Sequence, residues 1–174
     1  MGKLLWLILG AALTIYLVMV VWSLPFIAAQ AGGLVPFDMR PTGYSGDEAR
    51  AFLGALSAEG KTFYLGTQHM LDRFYPGLMG VALAMAIVML FARVPVWLRY
   101  GLAATAIIGA GFDYLENARV AGMLRAAIAD VSDADIAAAS QATLLKSGFD
   151  TVAMVAALVG LVMLWLRKRK EKPA

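Results

Sequence analysis

The chain has 174 residues, 61% of them hydrophobic and 16% charged, against roughly 45–50% and about 25% in an ordinary soluble domain. That balance points away from a soluble globule or a disordered tail, and the absence of cysteine removes disulfide scaffolds and Cys-based zinc or redox centres. The net charge of +3 does not mark a nucleic-acid binder: five of the fifteen basic residues, Arg167, Lys168, Arg169, Lys170 and Lys172, follow an apolar run as a stop-transfer flank.

The first apolar run, about 4–28, holds LLWLILGAALTIYLVMVVW without a charge, and roughly 20 such residues cross about 30 Å of hydrocarbon. Ala29-Gln30-Ala31 resembles a signal cleavage site, but the run exceeds the 7–15 residues of a cleaved signal core and reads as a retained span. An outer segment, about 29–73, starts irregularly at Gly32-Gly33, Pro36 and Pro41. Within it Ser45 and Glu48 form an S-x-x-E capping box, Ala49, Phe52, Leu53 and Leu56 recur at helical spacing, and Gly60 stands where a C′ residue belongs. A short amphipathic helix is expected over 46–59, its apolar stripe resting on the outer leaflet or on the tops of the spans.

From Gly60 to Pro76-Gly77 the chain stays helix-compatible. The second span, about 74–92, is therefore expected to start outside the membrane and to kink at Pro76, whose ring clashes with the Asp72 carbonyl. A third span covers about 96–112, and an outer segment 113–148 follows, where Ser132 with Asp135 again looks like a cap. An Ala-rich stretch leads without a break into the fourth span, about 149–166, and the basic tail 167–174. Trp6, Trp22, Trp97 and Trp165 fall near span ends, where amphipathic rings favour the interface. With no strand-like alternation, the expected class is all-α: one domain over 1–174, a polytopic four-helix transmembrane bundle with a short amphipathic helix in its first outer loop.

Charge supplies the orientation. With both termini cytoplasmic, the inner side carries eight cations against one acid, a net of +7, and the outer side seven cations against eleven acids, a net of −4. Every short inner segment is basic, as a multi-pass protein of a bacterial inner membrane requires.

Ionisable residues at span level are rare and by default functional. The second span carries Gln68, His69 and Asp72, the third ends in Asp113, Tyr114, Glu116 and Asn117, and the fourth starts with Lys146 and Asp150, all near the outer interface. Asp113 with Glu116 and Asn117, Lys146 with Asp150, and Gln68 with Asp72 each occupy one helix face. Small-xxx-small pairs, Ala82 and Ala86, Ala106 and Ala110, Ala156 and Gly160, would let these helices approach closely.

Two accounts of this cluster stand side by side. In one, Lys146 and the carboxylates of Asp113, Glu116 and Asp150 pair and only hold the bundle together. In the other, Gln68, His69, Asp72, Asp113, Glu116, Asn117, Lys146 and Asp150 line a ligand-binding pocket for a small polar or amphipathic molecule or a lipid. The acids there outnumber the lysine, leaving one as a proton carrier or general acid. Asp113→Asn or Glu116→Gln would then abolish binding without unfolding the chain. A lone histidine, with neither H-E-x-x-H nor a paired histidine, gives no metal site. Hydrolase, P-loop and dinucleotide motifs are missing too, so no cofactor is expected and an enzyme has only the carboxylates to rest on. Competing expectations are an accessory subunit whose lateral faces bind a membrane complex and a proton-coupled transporter or carboxylate-based enzyme, for which a homodimer could supply further helices.

The pattern Tyr44-Ser45, Glu48-Ala49, Glu59-Gly60, Tyr64, Asp72, Pro76 and Asp113-Tyr114-Leu115-Glu116-Asn117 resembles small four-span bacterial integral membrane proteins of unknown function. The resemblance runs from about 44 to 150 and implies a four-helix inner-membrane protein without supplying an activity. A more distant similarity, in logic alone, is to the sterol-binding and sterol-isomerising emopamil-binding family, which also sets carboxylates in a membrane pocket; no residue carries over.

Overall fold

A computed structural model describes residues 2–170. It is 86% helical, with no strand among the described residues. Five helices carry the chain: α1 (Lys3–Gln30), α2 (Gly46–Ala55), α3 (Ala58–Leu90), α4 (Val96–Arg125) and α5 (Asp133–Lys170). Of these α1, α3 and α5 are long and apolar enough to cross a membrane. The end of the basic tail, Lys172 included, lies outside the described residues.

Local chemistry sets most of the boundaries. Gly32, at φ 64°, ends α1 in a Schellman turn, with the Gly33 N–H donating to the Ala28 carbonyl (2.8 Å) and the Gly32 N–H to Ala29 (3.3 Å). The capping box at α2 forms as expected: the Glu48 N–H donates to Ser45 Oγ (3.2 Å), and the Ser45 N–H returns a bond to Glu48 Oε2 (2.7 Å). These bonds from Ser45 hold the exposed Glu48 carboxyl below its usual range. Its contribution to α2 is therefore present above the ordinary carboxylate value and fades as pH falls through the lowered one. An acid titration following the Ser45 amide resonance is expected to place that midpoint below the ordinary glutamate value; a midpoint at or above it would remove the box from solution.

The amphipathic helix is shorter than its sequence suggests. It stops at Ala55, and Ser57 starts α3 by accepting the Gly60 N–H (3.0 Å), so Gly60 is a buried first-turn residue of α3 and not the C′ stop of α2. A side chain at Gly60 would run into Gln30 Cβ (2.6 Å) and Leu56 Cδ1 (2.8 Å). Gln30, at the end of α1, also accepts the Ser57 N–H on its carbonyl (3.0 Å) and the Ser57 hydroxyl on Oε1.

Two helices contain a π-helical turn, at Met19–Ser23 in α1 and Tyr64–Gln68 in α3, and the two turns pack against each other. Such turns widen a helix by one residue and recur at functional sites. Further along α3 the helix continues through Pro76, and beside the proline a side chain from α4 bonds to its backbone. The Tyr114 hydroxyl of α4 accepts the Gly77 N–H (3.2 Å) and donates to the Arg73 carbonyl (2.9 Å), an insertion of the kind that accompanies proline in a helix. Tyr114→Phe is expected to lower stability by about 1 kcal/mol, measured by thermal unfolding in detergent; an unchanged midpoint would show that lipid or water serves these groups equally well.

Buried side chains form three zones along the bundle. At one end α2, the 37–39 turn, the N-terminal ends of α3 and α5 and the C-terminal end of α4 close a cap core around Phe37, Tyr44, Phe52, Tyr64, Leu124 and Ile136. At the other end Ile87, Phe91, Ala103, Ala106, Ala153 and Ala156 pack together. Between them along α3, α4 and α5 lie the buried polar side chains Gln68, Asp72, Asp113, Glu116, Asn117 and Thr143.

Candidate functional site

The polar zone is held by close helix packing. A side chain at Gly109 of α4 would collide with the Asp150 carboxylate of α5, and one at Gly80 of α3 would meet the Ala106 carbonyl and Ala110 Cβ, both at 3.0 Å. Glycine and alanine at these crossings let α3, α4 and α5 approach closely at the depth of their carboxylates.

One half of the site is an ion-pair cluster. Lys146 of α5 pairs with Glu116 and lies 3.6 Å from Asp113 Oδ1, both on α4. Glu116 also accepts the Thr143 hydroxyl (2.5 Å), and Asp113 accepts the Asn117 amide (3.1 Å). The Tyr44 hydroxyl is buried without a hydrogen-bond partner. Burial, reinforced by the Glu116 charge, pushes that phenol far above its usual range, so it remains protonated.

The other half starts at the paired π turns. Ser23 donates to Gln68 Oε1 (2.5 Å), and Gln68 Nε2 donates to both carboxylate oxygens of Asp72 (3.1 Å each). The three bonds run in one direction, from α1 through the glutamine to the carboxylate. His69 Nδ1 faces the Tyr64 carbonyl (2.8 Å) and Nε2 faces that of Asn117 (3.1 Å), and a neutral ring donates to only one at a time. The histidine thereby ties the π turn of α3 to the middle of α4.

The eight residues singled out by sequence thus fall into sets. Asp113, Glu116 and Lys146 pair, Asn117 braces Asp113, Gln68 braces Asp72, and His69 spans two helices. Asp150 stands apart from the expected pairing: Lys146 reaches across to α4, while Asp150 shares a cavity of about 20 Å³ with Asp113, Tyr75 and Pro76. Three contributors escaped the sequence reading. Ser23 is hidden in an apolar run, and the Tyr44 phenol arrives from the cap. Thr143, by contrast, sits three before Lys146 on the same helix face, a spacing that could have flagged it.

Beside the cluster an open groove of about 290 Å³ runs between α3 and α4. Asp72, His69 and Asn117 line it together with Tyr114, and Arg73 and Arg125 lie along its walls. The groove therefore combines a carboxylate, an imidazole and two guanidinium groups with the apolar surface of Leu65 and Ala121. Compared with known proteins, the chain matches no family model, no curated protein and no solved structure.

Proposed function

We propose that the chain is a four-span inner-membrane protein with both termini cytoplasmic, and that its α3–α4 groove binds the polar head of a small amphipathic ligand or lipid near the outer face. Three helices have the length and composition to cross. Large apolar side chains on α1 and α5 face outward, with Leu7 at 70%, Val21 at 74% and Leu158 at 61% exposure, a surface suited to lipid. The fourth span is α4, whose inner half buries Ala103, Ala106 and Gly109, so small packing residues stand where an outlying span would carry leucines. The division of charge into a basic and an acidic side supports the orientation.

The observation that carries the reading is Asp72. It is 4% exposed, yet it lines the open groove, and no cation lies within pairing distance of it among the described residues. The Gln68 amide donates to both of its oxygens, and an ionised carboxylate so placed remains costly without a charged partner. A ligand head that donates hydrogen bonds or carries positive charge supplies the partner, and the arginines alongside can hold an acidic group of the same molecule.

Native mass spectrometry of the protein purified in mild detergent tests this. The parent is expected to carry a defined small-molecule or lipid adduct, and Asp72→Asn, which keeps the shape and a hydrogen bond to Gln68, to lower its affinity tenfold or more. Equal occupancy in the two proteins would sink the reading. A stably copurifying protein with no small adduct would assign the accessory role instead.

A further inference from the structure

The end of the bundle far from the cap holds a second, larger cavity of about 490 Å³, lined by Arg93, Arg167 and Lys168 together with Met89, Leu90 and Leu164. Its cations come from two places in the chain, the turn after α3 and the last turns of α5. They converge because α5 lies tightly on the end of α3. A side chain at Gly160 would stand 2.8 Å from Leu90 Cβ and 2.9 Å from Phe91 Cε2. Among the described residues no acid lines this cavity, and none pairs with any of the three cations. The next cation along, Arg169, is occupied differently, stacked over the Trp165 ring with its guanidinium carbon 3.8 Å from the centroid.

Like charges gathered around one space repel unless an anion enters it. We propose that this cavity is a binding site for a phosphate group, with the three cations on the phosphate oxygens and Met89, Leu90 and Leu164 against the chain that carries it. An acidic phospholipid offers both parts, and basic pockets between helix ends on the cytoplasmic side take such headgroups. Free phosphate offers only the first. The site is separate from the α3–α4 groove, and its success or failure leaves the reading of Asp72 untouched.

The test is phosphatidylglycerol binding to the full-length protein in nonionic detergent, by native mass spectrometry, with phosphatidylcholine as the neutral comparison. Phosphatidylglycerol is expected to bind more tightly than phosphatidylcholine. Each cation contributes about fivefold, so Arg93→Gln weakens binding about fivefold and the triple variant with Arg167→Gln and Lys168→Gln roughly a hundredfold. Because the tail cations also set topology, the single Arg93→Gln variant, with the tail intact, is the decisive one. Arg169→Gln removes the same charge outside the cavity and is expected to leave binding within twofold. Displacement by millimolar inorganic phosphate would make free phosphate the source of the group, and retention of the lipid would make it the phospholipid; either supports the site. Equal binding of the two lipids, no loss in Arg93→Gln, or the same loss in Arg169→Gln would overturn it.

Discussion

Replacing Lys146 by methionine is expected to destabilise the protein by about 3–5 kcal/mol, the usual cost of removing one partner from a buried ion pair. The lysine side chain is 14% exposed, and its partners Glu116 and Asp113 are 1% and 13% exposed. Without the ammonium, two carboxylates one turn apart on α4 are left together, and one of them, Asp113, shares a small cavity with Asp150. Methionine keeps the length of the stem, so the loss reports charge more than packing. Glu116→Gln added to Lys146→Met should recover part of it, because a glutamine carbonyl still accepts the Thr143 hydroxyl and carries no charge. Non-additivity of this kind is the signature of one network. Unfolding in mixed micelles, monitored by circular dichroism, measures it, and a loss under about 1 kcal/mol would show that the cluster is well hydrated. Asp113→Asn and Glu116→Gln are consequently poor probes of ligand binding, since each perturbs a pair that holds α4 to α5; Asp72→Asn is the cleaner one.

Phe52→Ala should remove a comparable amount, about 3–5 kcal/mol, but locally. The ring is fully buried at the centre of the cap, 4.9 Å from the Phe37 ring and 6.3 Å from that of Tyr64, both edge-on. Ala49 and Leu53 of α2 share that core as smaller side chains, while at the surface Arg50 Nη2 donates to the Val131 carbonyl (3.2 Å) and pairs with an exposed Asp133 carboxylate (2.7 Å), a weak anchor. Loss of the ring is therefore expected to free residues 34–57 before the long helices separate. Trypsin then reaches Arg40 and Arg50 at least a hundredfold faster while the helical signal persists. Unchanged cleavage would mean that something other than this aromatic core fastens the cap. The same opening is expected to expose Tyr44, which shares that core, and with it the buried Thr143–Glu116 contact.

The parts of this structure legible in the sequence are those fixed by residues a turn apart. Both S-x-x-acid caps, at Ser45 and Ser132, form as read, since each closes on itself within four residues. The helix-compatible stretches before Pro76 and before Phe149 do run on into the long helices α3 and α5. The grouping of acids on helix faces was legible for the same reason. What periodicity cannot supply is the choice of partner across helices. Lys146 turns from Asp150, one turn away on its own helix, to Asp113 and Glu116 on α4, because the approach at Gly109 decides which groups meet. Gly60 is no stop because Ser57, three residues earlier, is a stronger start signal than glycine is a stop. Ser23 was invisible because a single serine in an apolar run is ordinarily satisfied by its own helix.

The facing π turns have a consequence for how the chain can vary. One extra residue in a turn advances everything after it by about 100° around the axis. In α3 that advance falls between the buried Tyr64, which faces the cap, and His69 and Asp72, which face the groove. The two ends of this helix thus keep different angular registers, joined at residues 64–68 like gears offset by a tooth. A one-residue deletion there would restore a regular helix yet swing the cap about 100° against the bundle, whereas point substitutions on either side leave the offset untouched. Length in this stretch is therefore far less free to change than residue identity.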